Sequence, residues 1–225
     1  MRSDRRPHRE LVTGPGWTGA TGRPTRIMLA RHGQTPLSVD RRYSGQGDPE
    51  LTEGGSSQSE RTARRLAATP GLSAVISSPL RRCLGTAERV AEAAGVPMVV
   101  DPDFIETDFG RWEGLTFTEA AAQDPDVHSR WLGDTAVSPP GGESFAIVRA
   151  RVERGLRRIV EERPGGVVAV ISHVTPIKLA IRAGLNANED MLFRLHLDLA
   201  SVSEVRFYSD GPTSVHLVND TSHLD

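Results

Sequence analysis

The chain has 225 residues, of which 37% are hydrophobic and 25% charged, and its formal net charge is −2. This length fits one domain with a large core, and the small net charge gives no general attraction to nucleic acid or to an anionic membrane. Cys83 is the only cysteine, which excludes an internal disulfide, and the lack of a membrane-spanning apolar run or signal-peptide core predicts a cytoplasmic protein.

The first 25 residues differ in composition from the rest of the chain. They are rich in Arg, Gly, Pro and Thr, and their few apolar residues follow no period, which predicts a disordered arm or linker. Its arginines are either a nucleic-acid-binding arm or a solvated tail, and their thin pattern favours the tail. We therefore expect a folded domain at 26–220 that binds neither nucleic acid nor a membrane, followed by a tail at 221–225.

The first predicted strand, 27–30, is a short apolar run that ends at three residues of another kind. Arg31, His32 and Gly33 supply a guanidinium, an imidazole and a flexible hinge. Because ligands bind outside the carboxyl ends of strands in open α/β sheets, this position predicts a site.

The segments that follow alternate between helix and strand. A loop at 36–50 precedes a polar helix at 53–68, a strand at 74–77, a helix at 80–94 and a short strand at 97–101. A loop rich in carboxylates and aromatic residues is predicted at 104–114, and a short helix at 116–123. The alternation is typical of a sheet with parallel strands and helices on both faces.

A long helix is predicted from Glu143 to Arg163. Its apolar residues share one face, with the arginines and glutamates on the other. The strand 167–171 is a β-branched run that suits a central strand, and it ends at Ser172 and His173. A helix at 176–183 and a hairpin of 201–208 and 213–219 complete the pattern.

Two histidines at strand ends, together with nearby arginines, indicate phosphoryl chemistry. Imidazole is a nucleophile toward an activated electrophile, and the planar guanidinium fork of arginine holds phosphoryl oxygens. Arg31 adjoins His32. Arg81 and Arg82 lie near the start of a helix, where backbone N–H groups and the helix dipole also favour an anion.

Four segments together resemble a known family. They are Arg31-His32-Gly33, the segments 78–87 and 106–114, and Ser172-His173. In this order they resemble the histidine phosphatase superfamily, also called phosphoglycerate-mutase-like, over residues 26–219. The likeness is closest to the alpha-ribazole phosphatase branch and to the acid phosphatase domain of bifunctional ribonuclease H/acid phosphatase proteins. In such proteins, the arm before residue 26 would correspond to the linker that follows a ribonuclease H domain.

The resemblance implies a fold and a set of roles. The fold is an α/β class, three-layer α/β/α sandwich with a mixed, largely parallel sheet of roughly six strands. His32 is the nucleophile that becomes phosphorylated, while Arg31, Arg82 and His173 line the phosphate pocket. Glu106 protonates the leaving oxygen and then activates water. Arg82 is preferred to Arg81 because it occupies the family's position before the Thr-Ala pair.

Three positions depart from the family pattern and are expected to touch substrate. Gln34 stands where the family often has Glu, Ser38 where it has Asn, and Val174 where it has Gly. Gln34 removes a charge, Ser38 keeps a hydroxyl, and Val174 offers its backbone N–H. We therefore expect these changes to alter substrate preference and to leave activity intact.

Some assignments stay open at this point. Asp108 and Glu113 compete with Glu106 for the proton-donor role, and Trp112 either stacks on a substrate or packs within its loop, of which packing is favoured. A metal cofactor is not expected, because arginines and histidines supply the positive charge. Three other histidines lack ligand partners at metal-binding spacing: His128, His196 and His216.

The predicted function is a metal-independent phosphomonoester hydrolase of the acid phosphatase type, acting through a phosphohistidine. Its substrate is expected to be a small phosphorylated metabolite, with alpha-ribazole phosphate as one candidate. The alternatives are a phosphoglycerate-type phosphomutase and a non-catalytic module that binds a phosphorylated ligand. A homodimer is left open.

Overall fold

A six-stranded mixed sheet lies at the centre of the computed structural model, which describes residues 19–225. The strands are β1 (Thr25–Arg31), β2 (Leu72–Ser77), β3 (Met98–Val100), β4 (Val167–Ser172), β5 (Val202–Phe207) and β6 (Thr213–Asp220). Their order is β3-β2-β4-β1-β5-β6. The first four are parallel to one another, whereas β5 is antiparallel to both of its neighbours, β1 and β6. The predicted mixed, largely parallel sheet is therefore confirmed, and most of the predicted arm lies outside the described residues.

Helices cover both faces of this sheet. They are α1 (Pro36–Val39), α2 (Glu53–Ala67), α3 (Arg81–Ala94), α4 (Phe117–Gln123), α5 (Pro125–Trp131), α6 (Phe145–Glu162) and α7 (Val174–Leu185). One core lies between the sheet and α2 with α3, and another between the sheet and α6 with α7. The three-layer α/β/α sandwich is thus confirmed. None of the described helices has the length and apolar character needed to cross a membrane.

The central strand β4 is buried on both faces, as its composition predicted. Val168 and Val170 point to the α6 and α7 side, while Ala169 and Ile171 point to the α2 and α3 side. This alternation is the period of two that a strand imposes on its side chains. Burying each of the larger side chains contributes roughly 1.5–3 kcal/mol, so β4 is a rigid support for the residues at its end.

The helix α3 begins directly after β2 because of its local sequence. The N-cap Leu80 is extended, and Arg81 and Arg82 occupy the first turn. The helix ends at Gly95, whose φ of 65° lies in the left-handed region that glycine adopts without strain. Both ends agree with the predicted helix, and its start fixes Arg82 close to the end of β2.

Two short helices depart from the prediction. The predicted loop at 36–50 contains α1, which is closed by a capping box between Thr35 and Ser38. The helix α5 lies where no element was predicted, and it begins at Pro125, a residue suited to the first helical turn. The four residues of α1 and the seven of α5 carry little of the 3.6-residue period, although α4, also of seven residues, was predicted at 116–123.

Arg151 corrects the predicted face pattern of α6. The apolar face is observed as predicted at Val148, Val152, Leu156 and Ile159. Arg151 was placed with the charged residues on the opposite face, yet it is only 9% exposed. Its guanidinium is buried because it contacts backbone carbonyl groups and a carboxylate of the neighbouring loop.

Aromatic residues from the loops form a third core beside the sheet. Tyr43, Phe109, Trp112, Trp131 and Phe145 belong to it, and Trp112 is fully buried. The prediction that Trp112 packs within its loop is therefore confirmed. This core fixes the segment between β3 and α6 against the loop that follows α1.

The last residues pack on the domain. A 3₁₀ turn at Ser222–Leu224 lies against α2, where Arg61 donates to the carbonyl oxygen of Leu224. The His223 ring lies 3.2 Å from the Thr62 hydroxyl and 3.1 Å from the Ala200 carbonyl oxygen. These contacts attach the segment predicted as a tail to the body of the domain.

Candidate active site

Two histidines meet at the carboxyl ends of neighbouring parallel strands. Arg31 of β1 pairs with Ser172 of β4, so the residues that follow, His32 and His173, emerge side by side. The sheet extends to this point, since the His32 N–H donates to the Ser172 carbonyl over 3.1 Å. The ring centroids lie 5.2 Å apart with an interplanar angle of 58°. Both side chains are at least 95% buried, with exposed fractions of 5% for His32 and 0% for His173.

A single hydrogen bond fixes the tautomer of His32. Its Nδ1 lies 2.7 Å from the carbonyl oxygen of Gly33. A carbonyl only accepts, so Nδ1 carries the proton and Nε2 keeps its lone pair. Burial, and then the charges of Arg31 and Arg82, lower the pKa of His32 well below 6.5. The ring is therefore neutral and presents a nitrogen able to attack an electrophile.

His173 is held by groups from β2 and α3. Its Nδ1 accepts from Nε of Arg82 at 3.3 Å, so its Nε2 donates to the Ser78 hydroxyl at 2.7 Å. Burial and the neighbouring Arg82 lower the pKa of His173 below its ordinary value. Both imidazoles are thus neutral in the unliganded site, and the positive charge comes from arginine.

Arg82 is fully buried, and its guanidinium is bound by carbonyl groups of the loop that precedes α2. Its Nη1 donates to the carbonyl of Gly47 at 2.7 Å, and its Nη2 donates to the carbonyl of Gly45 at 2.6 Å. Arg81, by contrast, is exposed and pairs with Glu50 at 2.9 Å. The structure therefore places Arg82 and not Arg81 against the imidazoles.

Arg31 supplies a second cation. Its Nη1 donates to the carbonyl of Leu197 at 2.7 Å, and its buried Nε has no hydrogen-bond partner among the described residues. Burial lowers its pKa to about 10, so the guanidinium stays charged at neutral pH. A buried, charged donor without a partner is costly unless an anion meets it. Its position beside two imidazoles is suited to phosphate.

Glu106 lies at the N-terminus of α7. One carboxylate oxygen accepts from the Thr107 N–H at 2.8 Å, and the other accepts from the Thr175 N–H at 3.4 Å. Thr175 comes two residues after His173, which brings this carboxylate to the imidazole site. The side chain is 4% exposed.

The two competing carboxylates occupy loop contacts instead. Asp108 accepts from the Gly110 N–H at 2.8 Å. Glu113 accepts from the N–H groups of Gly45 and Gly47 at 2.9 and 3.2 Å, and burial raises its pKa. Glu113 therefore binds the N–H groups of the same two glycines whose carbonyl groups accept from the guanidinium of Arg82. Of the three carboxylates, Glu106 is the one that contacts the first turn of the helix after His173, which favours it as the proton donor.

The three predicted substrate contacts lie at the edge of this site. Gln34 is half-buried, and its side-chain oxygen accepts from the Thr52 hydroxyl at 2.8 Å. The Ser38 hydroxyl donates to the carbonyl of Thr35 at 2.7 Å within the capping box of α1. Val174 is the first residue of α7, where the backbone N–H has no acceptor within the helix. Their contact with a substrate stays a prediction.

Ser78 and Cys83 complete the surroundings of His173. Ser78 was predicted only as the end of a strand, but its hydroxyl accepts a hydrogen bond from Nε2 of His173. The sequence signal for this residue was the Ser-Pro pair at a strand end. The Cys83 sulfur lies 3.4 Å from Nε2 of His173, and burial raises the pKa of the thiol to about 12. The thiol is therefore neutral at physiological pH, as expected of a small buried apolar group.

Two surface cavities lie at the other edge of the sheet. One, of about 270 Å³, borders Thr25, the first residue of β1, and Gly165, which precedes β4. The other, of about 250 Å³, lies between α6 and the β5–β6 hairpin. Their position excludes them from the histidine site. Among residues 19–225, the structure brings no three His, Cys, Asp or Glu side chains into a group suited to a metal ion.

Comparisons with known proteins show the family of the chain. Residues 27–221 match the family model of the histidine phosphatase superfamily, branch 1. The chain is 56% identical over 215 residues to the bifunctional protein Rv2228c of Mycobacterium tuberculosis, a match that covers 96% of this chain and 59% of that protein. It therefore spans less than two thirds of that relative's length.

Solved structures show the same fold. The structure of mycobacterial glucosyl-3-phosphoglycerate phosphatase Rv2419c superposes with a TM-score of 0.80 at 30% identity, covering 88% of this chain and 100% of that one. The alpha-ribazole phosphatase of Shigella flexneri superposes with a TM-score of 0.77 at 26% identity, covering 87% and 96% of the two chains. Both neighbours are named as phosphatases.

Proposed function

Because the chain belongs to the histidine phosphatase superfamily, branch 1, we propose that it hydrolyses phosphomonoesters through a phosphohistidine at His32. The observation that carries this proposal is the Nδ1 hydrogen bond to the Gly33 carbonyl, which leaves a neutral Nε2 lone pair beside two buried guanidinium groups. A nucleophile and an anion pocket in contact are what phosphoryl transfer requires.

The first half-reaction transfers the phosphoryl group to the enzyme. Nε2 of His32 attacks phosphorus, the bond from phosphorus to the leaving oxygen breaks, and that oxygen takes the proton of Glu106. Arg31 and Arg82 stabilise the charge that spreads over the phosphoryl oxygens. Because these cations are built into the chain, we propose that the reaction needs no metal.

The second half-reaction restores the free enzyme. Glu106, now a carboxylate, accepts a proton from water as the water oxygen attacks phosphorus. The bond from Nε2 to phosphorus breaks, which releases inorganic phosphate and returns His32 to its neutral form. The proton that Glu106 donated is thus replaced in each cycle.

The test is release of inorganic phosphate from p-nitrophenyl phosphate in EDTA. We expect wild-type activity without metal and a loss of more than ~10³-fold in His32→Ala, since removing a nucleophile abolishes the covalent route. His196→Ala is the matched control because this imidazole is exposed and pairs with Asp198. Mass spectrometry at alkaline pH should find phosphate on His32 of the wild type.

Three results would contradict the proposal. A folded wild type that releases no phosphate would point to a module that only binds phosphorylated ligands, and it would still bind inorganic phosphate. Phosphate transfer that requires a glycerate or sugar acceptor would instead identify a phosphomutase. Equal activity of wild type and His32→Ala would exclude the histidine nucleophile.

We propose a small phosphorylated metabolite as the substrate of a cytoplasmic acid phosphatase. The names of the structural neighbours make alpha-ribazole phosphate and glucosyl-3-phosphoglycerate the first compounds to compare. The departures at Gln34 and Ser38 lie beside the site, so ranking kcat/KM across both compounds and simple sugar phosphates tests the preference. A uniform kcat/KM across this set would contradict a specific metabolite.

A further inference from the structure

Arg151 of α6 contacts the peptide segment that carries Glu106. One guanidinium nitrogen, Nη1, donates to the carbonyls of Asp103 and Ile105 at 3.1 and 2.5 Å. The other, Nη2, donates to the carbonyl of Glu106 itself at 3.0 Å. Three carbonyl groups of one short segment are therefore bound by a single side chain from a helix.

Glu143 holds the same peptide segment on the C-terminal side of Glu106. Its carboxylate accepts from Nε and Nη2 of Arg151 at 3.3 and 3.1 Å. The same carboxylate accepts from the Asp108 N–H at 3.1 Å, and the Glu143 N–H donates to the Asp108 carbonyl at 2.8 Å. The backbone is thus held on both sides of Glu106, at Ile105 and at Asp108.

Burial makes these bonds strong and their loss costly. Arg151 is 9% exposed, so its charge is satisfied by the carbonyl groups and by Glu143, with little contribution from water. Hydrogen bonds to a charged group are stronger than those between neutral groups, and they leave little freedom to the segment they hold. The segment has no regular strand partner at Ile105–Asp108, so the guanidinium replaces the support that a sheet would give.

Two other arginines on α6 hold the beginning of the same segment in a different way. Arg154 and Arg158 pair with the carboxylates of Asp103 and Asp101, at 2.5 Å for each pair. Arg154 is exposed, and neither of its contacts reaches the Glu106 peptide. Arg154 therefore provides a matched control on the same helix.

We propose that Arg151 is a positioning residue for Glu106. It fixes the backbone from which the carboxyl group reaches the leaving oxygen, and it does not touch the substrate. This proposal rests on the proposed function, because it assigns Glu106 the proton transfer. A misplaced proton donor matters most when the leaving oxygen is a strong base, and little when the leaving group is a stable anion.

The test compares two substrates of different leaving groups. p-Nitrophenolate leaves with little need of a proton, whereas the alkoxide of glycerol phosphate needs one. In Arg151→Met we expect kcat/KM for glycerol phosphate to fall at least ~10-fold more than kcat/KM for p-nitrophenyl phosphate. Arg154→Met should change both substrates by the same factor. Inhibition by inorganic phosphate should change less than ~3-fold in Arg151→Met, since Arg31 and Arg82 are untouched.

A second variant covers the case in which Arg151→Met fails to fold. Arg151→Lys keeps the charge with fewer donors, and we expect it to show a smaller leaving-group-dependent loss in the same direction. Equal losses on both substrates, or no loss on either, in the folded variants would overturn the positioning role.

Glu106→Gln separates this proposal from the proposed function. If Glu106→Gln loses glycerol phosphate activity selectively while the folded Arg151 variants do not, Glu106 is the proton donor and only the positioning role is wrong. If Glu106→Gln shows no leaving-group dependence, the assignment of the proton donor fails, and the role of Arg151 fails with it. A wild type without phosphatase activity would overturn the proposed function itself.

Discussion

His32 shows how one backbone carbonyl and two guanidinium groups prepare a side chain for a reaction. The Gly33 carbonyl selects the tautomer, while burial and the charges of Arg31 and Arg82 lower the pKa of the ring. A protonated imidazole has no lone pair at Nε2, so a lowered pKa keeps the ring reactive in mildly acidic solution.

The titration of His32 is therefore a prediction at this scale. We expect its ring to remain neutral as the pH falls through 6.5, the ordinary histidine value, and to take up a proton only well below it. Arg31→Gln removes a nearby positive charge and should move the pKa upward, toward 6.5. NMR titration of the ring protons measures this directly. An inflection of His32 near 6.5 in the wild type would contradict it.

Much of the candidate site follows from local sequence, and the rest depends on distant contacts. His32 and His173 were predictable because each ends an apolar strand run. Ser78 and Arg151 were not, since their partners lie 95 residues away at His173 and 45 residues away at Glu106. The sequence shows that a polar residue is present at a position, but it does not predict which distant carbonyl or imidazole that residue contacts.

The contact between α2 and the loop after β1 is decided by two glycines. Gly33 was predicted as a flexible hinge, but a Cβ there would overlap the carbonyl oxygen of Gly55. A Cβ on Gly55 would overlap the carbonyl oxygen of Gln34 in turn. Both glycines therefore permit a close backbone approach, and this approach places the residues that follow His32 against the start of α2.

Gly55→Ala and Gly54→Ala test this packing. We expect Gly55→Ala to lower the free energy of unfolding by ~1–3 kcal/mol because backbone atoms must move apart. In Gly54→Ala the added Cβ meets the flexible end of Gln34 at 3.3 Å and the Thr52 hydroxyl at 3.7 Å, so this variant should change stability by less than ~1 kcal/mol. Urea unfolding of both variants gives the comparison. Equal changes in the free energy of unfolding would show that the close backbone approach does not restrict the side chain at position 55.

Element length decides how well the secondary structure was predicted. The long helix was expected at 143–163 and is observed at Phe145–Glu162, because five turns give a clear apolar period. The strand β4 agrees equally well, through its unbroken β-branched run. The helix α1 has four residues, and its capping box involves only side chains that also favour loops, so its pattern did not stand out.

At the scale of the whole molecule, the order of the strands in the sheet determines where the reactive groups lie. Strand order β2-β4-β1 brings three carboxyl ends together, and these ends deliver Ser78, His173 and His32. Parallel pairing and helices on both faces were predictable from the alternation of elements. The position of β4 between β1 and β2 was not, because it depends on pairing between residues about 140 positions apart, such as Arg26 with Val167.

Burial of imidazoles across the molecule also predicts how its stability depends on pH. Burial lowers the pKa of five histidines in the described chain: His32, His128, His173, His216 and His223. In the unfolded state these rings take up protons near the ordinary value of 6.5, whereas in the folded state they do so only at lower pH. The unfolded state therefore binds more protons below pH 6.5, and the free energy of unfolding falls as the pH is lowered.

We expect the urea midpoint to be lower at pH 5.5 than at pH 7.5, with the decrease beginning near pH 6.5. Carboxylates with lowered pKa, such as Asp103 and Glu204, act at lower pH, because their ordinary values are 3.8 and 4.5. The double variant His32→Gln, His173→Gln should flatten the decrease. A midpoint that stays constant or rises between pH 6.5 and 5.5 would show that the buried imidazoles are protonated in the folded state. It would also remove the neutral His32 on which the proposed nucleophile depends.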